Sequence, residues 1–263
     1  MAENTLIEWA DATWNPWQGC TVVGPGCANC YAARIDKRFG GNHWGPRADR
    51  KLSSEANWRK PFHWNAQAAK RGKSMTVFCA SMADIFDDHP SIKPEWRDRV
   101  FETIQATQNL TWLLLTKRPD LIWERFRFEP LTNVMFGVSI EDQKRARERL
   151  FFLSEWKAWG HKTFISYEPA LGAVKWKNFT NPMYGFSHSW RYPFDWAIAG
   201  GESGPGARKP DINWFRDLRD LCVAESIPFF FKQWGIFDAA GLRVGKKKSG
   251  RLLDGVLWDQ RPS

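Results

Sequence analysis

The sequence predicts an α/β fold, a partial (β/α) barrel. The chain has 263 residues, enough for one large domain with a substantial core. Short apolar runs alternate with amphipathic helical stretches along most of its length. The runs are continuously apolar, as expected of strands in a parallel sheet that helices cover on both faces. A β-sandwich or a helical bundle would not produce this alternation of elements.

Six apolar runs are predicted as the strands of this sheet. They are Thr76–Ala80, Thr111–Thr116, Asn133–Ser139, Thr163–Tyr167, Trp196–Gly200 and Pro228–Lys232. A further strand is predicted near the start of the chain, at Leu6–Trp9. The predicted helices are Pro94–Gln105, Pro119–Phe126, Gln143–Trp156 and Asn213–Glu225. Pro94 suits the first turn of a helix, and Asp211 or Asn213 is expected to cap the last helix.

In this predicted single domain (residues 1–263), residues 34–73 are the one region without strand periodicity. Residues 176–193 are predicted as a second irregular insertion. Residues 34–73 contain eleven Lys or Arg and only three acidic residues. The segment's net charge of 11 − 3 = +8 is nearly the whole net charge of the chain, +9. The segment also contains Phe39, His43, Trp44, Trp58, Phe62 and Trp64. Basic residues interleaved with aromatic ones favour a nucleic-acid surface. The alternative is a solvated, loosely structured insertion, and Lys246–Lys248 is interpreted as solvated surface.

The composition also indicates the cellular compartment in which the protein is expected. No run of eighteen apolar residues is present, so no membrane span is expected. The first residues lack a basic region followed by an apolar one, which argues against a secretory signal. Five cysteines, three of them within eleven positions, suit a reduced cytoplasmic protein with a metal site better than a disulfide scaffold.

Polar residues follow almost every predicted strand. These segments are Ser81–Asp84, Thr116–Arg118, Ser139–Asp142, Ser166–Glu168, Gly200–Ser203 and Lys232–Trp234. Helix capping explains one such residue, but not a recurrence along the sheet. In a (β/α) barrel the carboxyl ends of the strands are where sites are assembled, so a shared polar site is predicted there.

Three cysteines form the most specific motif, Cys20, Cys27 and Cys30, in a loop over residues 13–32. The last two form a C-x-x-C pair, and Gly24 to Gly26 let the loop fold back so that Cys20 reaches the same site. Thiolates select zinc or iron–sulfur clusters. A structural zinc site closes with four protein ligands, whereas three thiolates leave one iron of a [4Fe–4S] cluster open. The motif therefore predicts a cluster.

Two alternatives stay open for the motif. A closed zinc site would take His43 or His63 as its fourth ligand, and a disulfide within the loop is the other. Cys79 falls in a predicted strand and Cys222 in a predicted helix, so both are interpreted as small core residues.

The cysteine loop also carries a family resemblance. It reads Thr-Trp-Asn-Pro at 13–16, Gly-Cys at 19–20, Gly-Cys at 26–27 and Cys-Tyr-Ala at 30–32. Matching motifs follow at Ser81–Phe86, Leu114–Pro119, Gly137–Glu141, Glu168–Gly172, Gly200–Arg208, Phe231–Gly235 and Leu253–Gly255. Together they resemble a phage- and bacteria-associated three-Cys-motif family of proteins of unknown function. These proteins are similar to radical S-adenosylmethionine (SAM) enzymes, and the resemblance covers almost the full chain.

The resemblance implies a radical-SAM-like barrel that cleaves SAM reductively with an electron from a donor. It implies site residues of three kinds. The metal ligands would be Cys20, Cys27 and Cys30; the cofactor-binding residues Ser81, Asp84, Ser139, Glu141, Gly200 and Gly201; and the catalytic residues Lys117, Glu168 and Glu202. Two features depart from radical SAM enzymes: the first cysteine spacing is longer, and Gly200-Gly-Glu202 follows a late strand.

The basic segment makes a nucleic acid or nucleotide the expected substrate, in a modification or repair reaction. A partner protein beyond the electron donor is compatible with the sequence but not identified by it. One alternative function is a non-catalytic nucleic-acid-binding protein with a structural iron–sulfur or zinc site. A second is a barrel hydrolase that uses pairs of Asp and Glu.

Overall fold

The structure is a computed structural model that describes residue 5 and residues 7–122, 131–180 and 191–262. Most of the predicted irregular segment 176–193 and part of the predicted helix Pro119–Phe126 lie outside the described residues. Within the described residues, Pro119–Leu121 form a 3-10 turn.

The strands and helices are numbered in chain order. The strands are β1 Ala12–Trp14, β2 Trp17–Gln18, β3 Lys51–Leu52, β4 Met75–Cys79, β5 Leu110–Thr116, β6 Val134–Ile140, β7 Lys162–Tyr167, β8 Ala197–Gly200, β9 Phe229–Gln233, β10 Leu252–Leu253 and β11 Val256–Leu257. The helices are α1 Tyr31–Arg38, α2 Glu55–Trp58, α3 Lys60–Arg71, α4 Pro94–Gln105, α5 Gln143–Ala158 and α6 Ile212–Ala224.

Seven strands form one sheet in the order β1-β4-β5-β6-β7-β8-β9. The pairings β1–β4, β4–β5, β7–β8 and β8–β9 are all parallel. Strands that follow each other in chain order and alternate with helices are the arrangement of a partial (β/α) barrel, so the predicted α/β class is confirmed. Each of the six predicted apolar runs is a strand whose ends lie within one residue of the prediction.

The predicted strand at Leu6–Trp9 is wrong. The first strand is Ala12–Trp14, which pairs with β4, while Glu8 and Trp9 lie in a turn. Trp9 is buried, with its ring centroid 4.6 Å from that of Phe78. Its apolar character therefore serves packing against β4 rather than strand formation.

Three of the helices begin with a recognisable N-terminal residue. Helix α4 has the predicted bounds, with Pro94 in its first turn. The Asp211 carboxylate accepts a hydrogen bond from the Asn213 amide and caps α6, and Asp142 caps α5 by accepting from the Arg145 amide.

The basic segment 34–73 is folded, so the alternative of a loosely structured insertion is wrong. It contains α2, α3 and most of α1, and its strand β3 pairs antiparallel with β2. Trp58 and Trp64 are buried in the core and cannot stack on bases. Arg50 is also buried, whereas nine of the eleven Lys and Arg side chains are exposed.

The chain divides into two compact units, described separately below. Unit 1 is residues 1–23 and 32–136, and unit 2 is residues 24–31 and 137–263. A single domain over residues 1–263 therefore stays a prediction. In unit 1, Trp14 packs edge-on against Trp58 and Trp112, and in unit 2 the rings around Phe215 fill the core.

No helix among the described residues has both the length and the apolar character needed to cross a membrane.

Candidate functional site

In unit 1, Asp84 is the centre of the polar residues that follow β4 and β5. Its carboxylate accepts hydrogen bonds from the Thr116 hydroxyl at 2.9 Å, the Lys117 amide at 3.1 Å and the Phe86 amide at 3.0 Å. Arg118 Nη1 donates to the same carboxylate at 3.1 Å. Because these donors surround a buried side chain, Asp84 fixes the ends of the two strands together.

Arg118 links this strand edge to the cysteine loop. Its Nη2 donates to the Thr21 carbonyl at 2.8 Å, and its Nη1 lies 3.6 Å from Cys20 Sγ. The guanidinium is 7% exposed. The segment around Cys20 is thus held by a buried cation attached to β5.

A second buried arginine completes the same network. Arg50 donates to Asp87 Oδ2 through Nε at 3.0 Å and Nη2 at 2.8 Å, and it also reaches the Thr21 hydroxyl. Asp87 Oδ1 lies 3.3 Å from Arg118. Two arginines and two aspartates therefore balance each other behind the cysteine, which satisfies charges that would otherwise be costly to bury.

Burial is the main influence on the Cys20 thiol. Desolvation, and after it the negative charge of Asp84, raise its pKa to about 12 against the opposing charge of Arg118. The thiol is therefore protonated at neutral pH in the metal-free chain. A bound metal displaces such a proton, since the thiolate is the form that coordinates.

In unit 2, the other two cysteines lie around one tight turn. A 3-10 helix spans Pro25–Cys27, and the Cys30 amide donates to the Cys27 carbonyl at 3.2 Å. Gly26 packs directly on Glu141, because a Cβ at this position would lie 2.4 Å from the Glu141 carboxylate. The turn therefore depends on a glycine in front of a buried acid.

Glu141 is itself held by α5. Arg149 Nη1 donates to its carboxylate at 2.8 Å and to the Ser139 carbonyl at 2.6 Å, and both ion-pair partners are buried. The predicted cofactor residues Ser139 and Glu141 thus share one arginine, which fixes the end of β6.

The Glu202 carboxylate belongs to a second clamp on the loop. It accepts from the Arg208 backbone amide and from Arg208 Nε at 2.8 Å. Arg208 Nη2 in turn donates to the Pro25 carbonyl at 2.9 Å, and the Asn29 side chain donates to the Gly206 carbonyl. Burial alone would raise the pKa of Glu202, but the hydrogen bonds from Arg208 outweigh it and lower the pKa.

Gly200 and Gly201 differ in what surrounds them. A Cβ on Gly201 would lie 2.2 Å from the Trp234 carbonyl oxygen, so close backbone packing requires a glycine there. A Cβ on Gly200 would have its nearest neighbour, the Glu168 carboxyl carbon, at 3.4 Å. Gly201 is explained by packing, and Gly200 is the one that leaves space beside a predicted catalytic residue.

That residue, Glu168, forms an ion pair at the ends of β7 and β9. Its Oε1 lies 2.5 Å from Lys232 Nζ, and the side chains are 19% and 14% exposed. Glu168 and Lys232 therefore keep partial access to solvent, unlike the buried pair of Arg118 and Asp84 in unit 1.

The predicted residues thus fall into separate groups. Unit 1 brings together Asp84, Cys20 and the Lys117 backbone, and Ser81 bonds instead with Asn15. Unit 2 brings together Ser139 with Glu141, and Glu202 with the loop that carries Cys27. The site roles of all these residues stay predictions.

Three arginines and an aspartate were missed as site residues. They are Arg50, Asp87, Arg149 and Arg208. Arg118 is part of the polar strand end Thr116–Arg118 that the sequence predicts, but its contact with Cys20 is not predicted. Arg118 and Arg208 belong to motifs that were recognised, so an arginine inside a strand-end motif was the available signal. Nothing in the sequence distinguishes Arg50 from its exposed basic neighbours.

The cysteine chemistry fits a thiolate-bound cluster. All five cysteines are free, and the three of the motif are half-buried. Cys79 and Cys222 are fully buried, and desolvation raises the pKa of both thiols, which confirms that they are core residues. Within the described residues no three His, Cys, Asp or Glu side chains already stand as a preformed metal site. His43, one of the two candidates for a fourth zinc ligand, has its Nδ1 in a hydrogen bond with the Asp36 carboxylate at 2.7 Å.

Comparison with known proteins gives a family and a fold. The family model described as "Protein of unknown function (DUF5131)" matches residues 4–262. The chain belongs to this family. A search of the curated proteins found no match.

One solved structure shares the fold of this DUF5131 chain, and two others show weaker similarity. A cysteine-to-serine variant of spore photoproduct lyase aligns with a TM-score of 0.50 and 12% identity, over 85% of this chain and 76% of its own. A second variant of the same enzyme, with bound AdoMet and dinucleoside spore photoproduct, has a TM-score of 0.44 and 13% identity, over 84% of this chain and 55% of its own. A radical SAM methyltransferase from Sphaerobacter thermophilus has a TM-score of 0.48 and 14% identity, over 83% of this chain and 65% of its own. The likeness to the first, at 12% identity, concerns the fold alone and confirms the partial (β/α) barrel.

Proposed function

We propose that this protein is an iron–sulfur enzyme of the radical SAM type, in which Cys20, Cys27 and Cys30 hold a [4Fe–4S] cluster. The observation that carries the proposal is the double anchoring of the cysteine loop. In unit 1 the buried Arg118 holds the Cys20 segment, and in unit 2 Arg208 holds Pro25. The Arg118 side chain is 7% exposed and that of Arg208 is 40% exposed, and directed hydrogen bonds from both to the loop backbone support a site that must be held rigid.

The cluster would supply, when bound, the electron that cleaves SAM to methionine and a 5′-deoxyadenosyl radical. The chain's own residues would hold the loop and orient the reactants. Arg118 and Arg208 fix the loop, with Glu202 as the carboxylate that orients Arg208. Glu202 is therefore proposed as a positioning residue rather than the catalytic residue the sequence suggested.

The ion pair of Glu168 and Lys232 is the proposed substrate contact. Both side chains are partly exposed, and Gly200 leaves space beside them. Lys232 carries a point charge suited to a phosphate or carboxylate, and Glu168 holds it in position until substrate arrives. Lys117 stays a proposed catalytic residue on the unit 1 side.

Nucleic acid or a nucleotide is the proposed substrate, in a modification or repair reaction. Nine exposed Lys and Arg side chains in residues 34–73 support it, since phosphate contacts dominate affinity for nucleic acids. The proposal includes an electron donor and a cytoplasmic setting, where thiols stay reduced.

Anaerobic reconstitution with iron and sulfide tests the proposal. The wild-type chain should bind iron and, after reduction by dithionite, release 5′-deoxyadenosine and methionine from SAM. Cys30→Ala should lose iron and SAM cleavage, whereas Cys222→Ala should keep both, because Cys222 is a buried core residue of α6. Iron and sulfide analysis, the visible spectrum and chromatography of the SAM products are the measurements.

A colourless wild-type protein that takes up zinc instead would overturn the cluster. Iron uptake with no SAM cleavage above the Cys30→Ala level would retain the cluster but reject the enzyme. That second result would favour a non-catalytic nucleic-acid-binding protein with a structural cluster, the alternative that the exposed basic segment also supports.

A further inference from the structure

We propose that Arg118 sets the reduction potential of the cluster by donating a hydrogen bond to the Cys20 sulfur. The inference rests on the proposed function, and it concerns how this chain tunes the site rather than which reaction follows. Arg118 acts through Cys20, so it is a positioning residue.

The contact is directional and buried. Arg118 Nη1 lies 3.6 Å from Cys20 Sγ, within reach of an N–H···S hydrogen bond, while Nη2 donates to the carbonyl of the next residue, Thr21, at 2.8 Å. One guanidinium therefore contacts both the Cys20 sulfur and the backbone carbonyl of Thr21. An arginine suits this task because its planar fork donates along two fixed directions.

The guanidinium is held in this orientation from behind. Asp84 accepts from Arg118 Nη1, and Asp84 is itself fixed by Thr116 and the Lys117 amide. Asp87 lies 3.3 Å from Arg118 Nη2. With both carboxylates buried and engaged, the arginine cannot turn away from the sulfur without leaving a buried charge unpaired.

The physical effect follows from charge. Hydrogen bonds to ligand sulfurs, net charge and solvent exposure set the potential of an iron–sulfur cluster. A reduced cluster carries one more negative charge than the oxidised cluster, so a nearby cation with an N–H donor stabilises the reduced form more. Arg118 should therefore raise the potential, which makes the cluster easier to reduce.

Arg50 provides a matched control within the same network. Like Arg118 it is buried, pairs with Asp87 and contacts Thr21, but it reaches the Thr21 hydroxyl, and its hydrogen bonds within the described part of the chain go to oxygen atoms. A substitution of Arg50 thus disturbs the loop anchor and the ion pairs without removing a donor from the sulfur.

The experiment compares Arg118→Lys with Arg50→Lys in anaerobically reconstituted protein. The potential is measured by a redox titration followed by electron paramagnetic resonance, and iron content is measured alongside it. Arg118→Lys should shift the potential to more negative values and alter the resonance of the reduced cluster. Arg50→Lys should leave the potential at the wild-type value, although both variants lose stability.

If Arg118→Lys does not fold, Arg118→Gln, which removes the cation and leaves Asp84 in place, should give a larger negative shift, because the charge as well as the donor is lost. An unchanged potential in an iron-loaded Arg118 variant would overturn the inference, as would an equal shift in Arg50→Lys. If the wild-type protein binds no iron–sulfur cluster, the proposed function itself fails. Iron content of the wild type therefore separates the two failures.

Discussion

The adjacent glycines at the end of β8 have different reasons to be glycine. Gly201 faces the backbone of β9, where its own amide donates to the Gln233 carbonyl and a Cβ would overlap the Trp234 carbonyl oxygen. Gly200 has ordinary van der Waals room for a methyl group. A sequence motif that contains both glycines therefore combines a packing requirement with an open position beside the Glu168–Lys232 pair.

Alanine substitutions should separate these two requirements. Gly201→Ala should lower the free energy of unfolding by about 1–3 kcal/mol, because the backbone of two strands must move apart. Gly200→Ala should change it by less than about 0.5 kcal/mol. Urea unfolding of both variants against wild type is the measurement. Equal destabilisation by the two substitutions would contradict the packing account of Gly201.

At the scale of elements, continuous apolar runs predicted the sheet because each strand is buried along most of its length, as β6 is at every position. The first strand was placed wrongly because β1 has only three residues, too few for a pattern, and the nearby Trp9 is apolar for another reason. Folding within residues 34–73 was also missed, since short helices with exposed basic faces show little periodicity.

The hairpin of β10 and β11 is fastened to α6 by one acid. Asp254 lies in the turn with φ of 55°. Its carboxylate forms ion pairs with Arg216 Nη2 and Arg219 Nη1, each at 2.5 Å. Hydrogen bonds from Arg216, and then from Arg219, lower its pKa to about 2 from the ordinary 3.8. The contact is largely exposed, so its contribution to stability is modest.

Asp254→Asn should lower the melting temperature at pH 7 by about 1–3 °C. Asparagine also tolerates positive φ, so the substitution removes charge while keeping the turn. Since the folded-state pKa is depressed, the stabilisation is complete above about pH 4 and disappears as the pH falls towards 2. Melting curves of both proteins across this range are the measurement. A difference that grows as the pH falls would contradict the assignment.

At the scale of the whole molecule, the sequence identified the strand ends but not the connections between them and the loop. The contact between Cys20 and Arg118 joins residues 98 positions apart, and that between Pro25 and Arg208 joins residues 183 apart. Spacing and periodicity report only on neighbours along the chain. Residues such as Arg118 were therefore visible as part of a polar strand end, while their role as loop anchors required the fold.

The net charge of +9 is also a property of the whole molecule. Whether its position matters can be tested by removing three positive charges at either of two sites. Lys37→Gln, Arg38→Gln and Arg47→Gln together remove three exposed charges from the basic segment. Lys246→Gln, Lys247→Gln and Lys248→Gln remove three exposed charges elsewhere. Both triple variants have the same net charge, so attraction by overall charge alone would weaken them equally.

If residues 34–73 bind phosphates, the first variant should bind a labelled single-stranded oligonucleotide about tenfold or more weakly than wild type. The slope of log affinity against log salt should also become shallower by about 0.7 for each phosphate that the variant no longer neutralises, while the second variant keeps the wild-type affinity and slope. Fluorescence anisotropy at several salt concentrations is the measurement. Equal weakening of both variants would mean that only net charge attracts the oligonucleotide. Absence of wild-type binding would remove nucleic acid from the proposed function and leave the anchored cysteine loop as its remaining support.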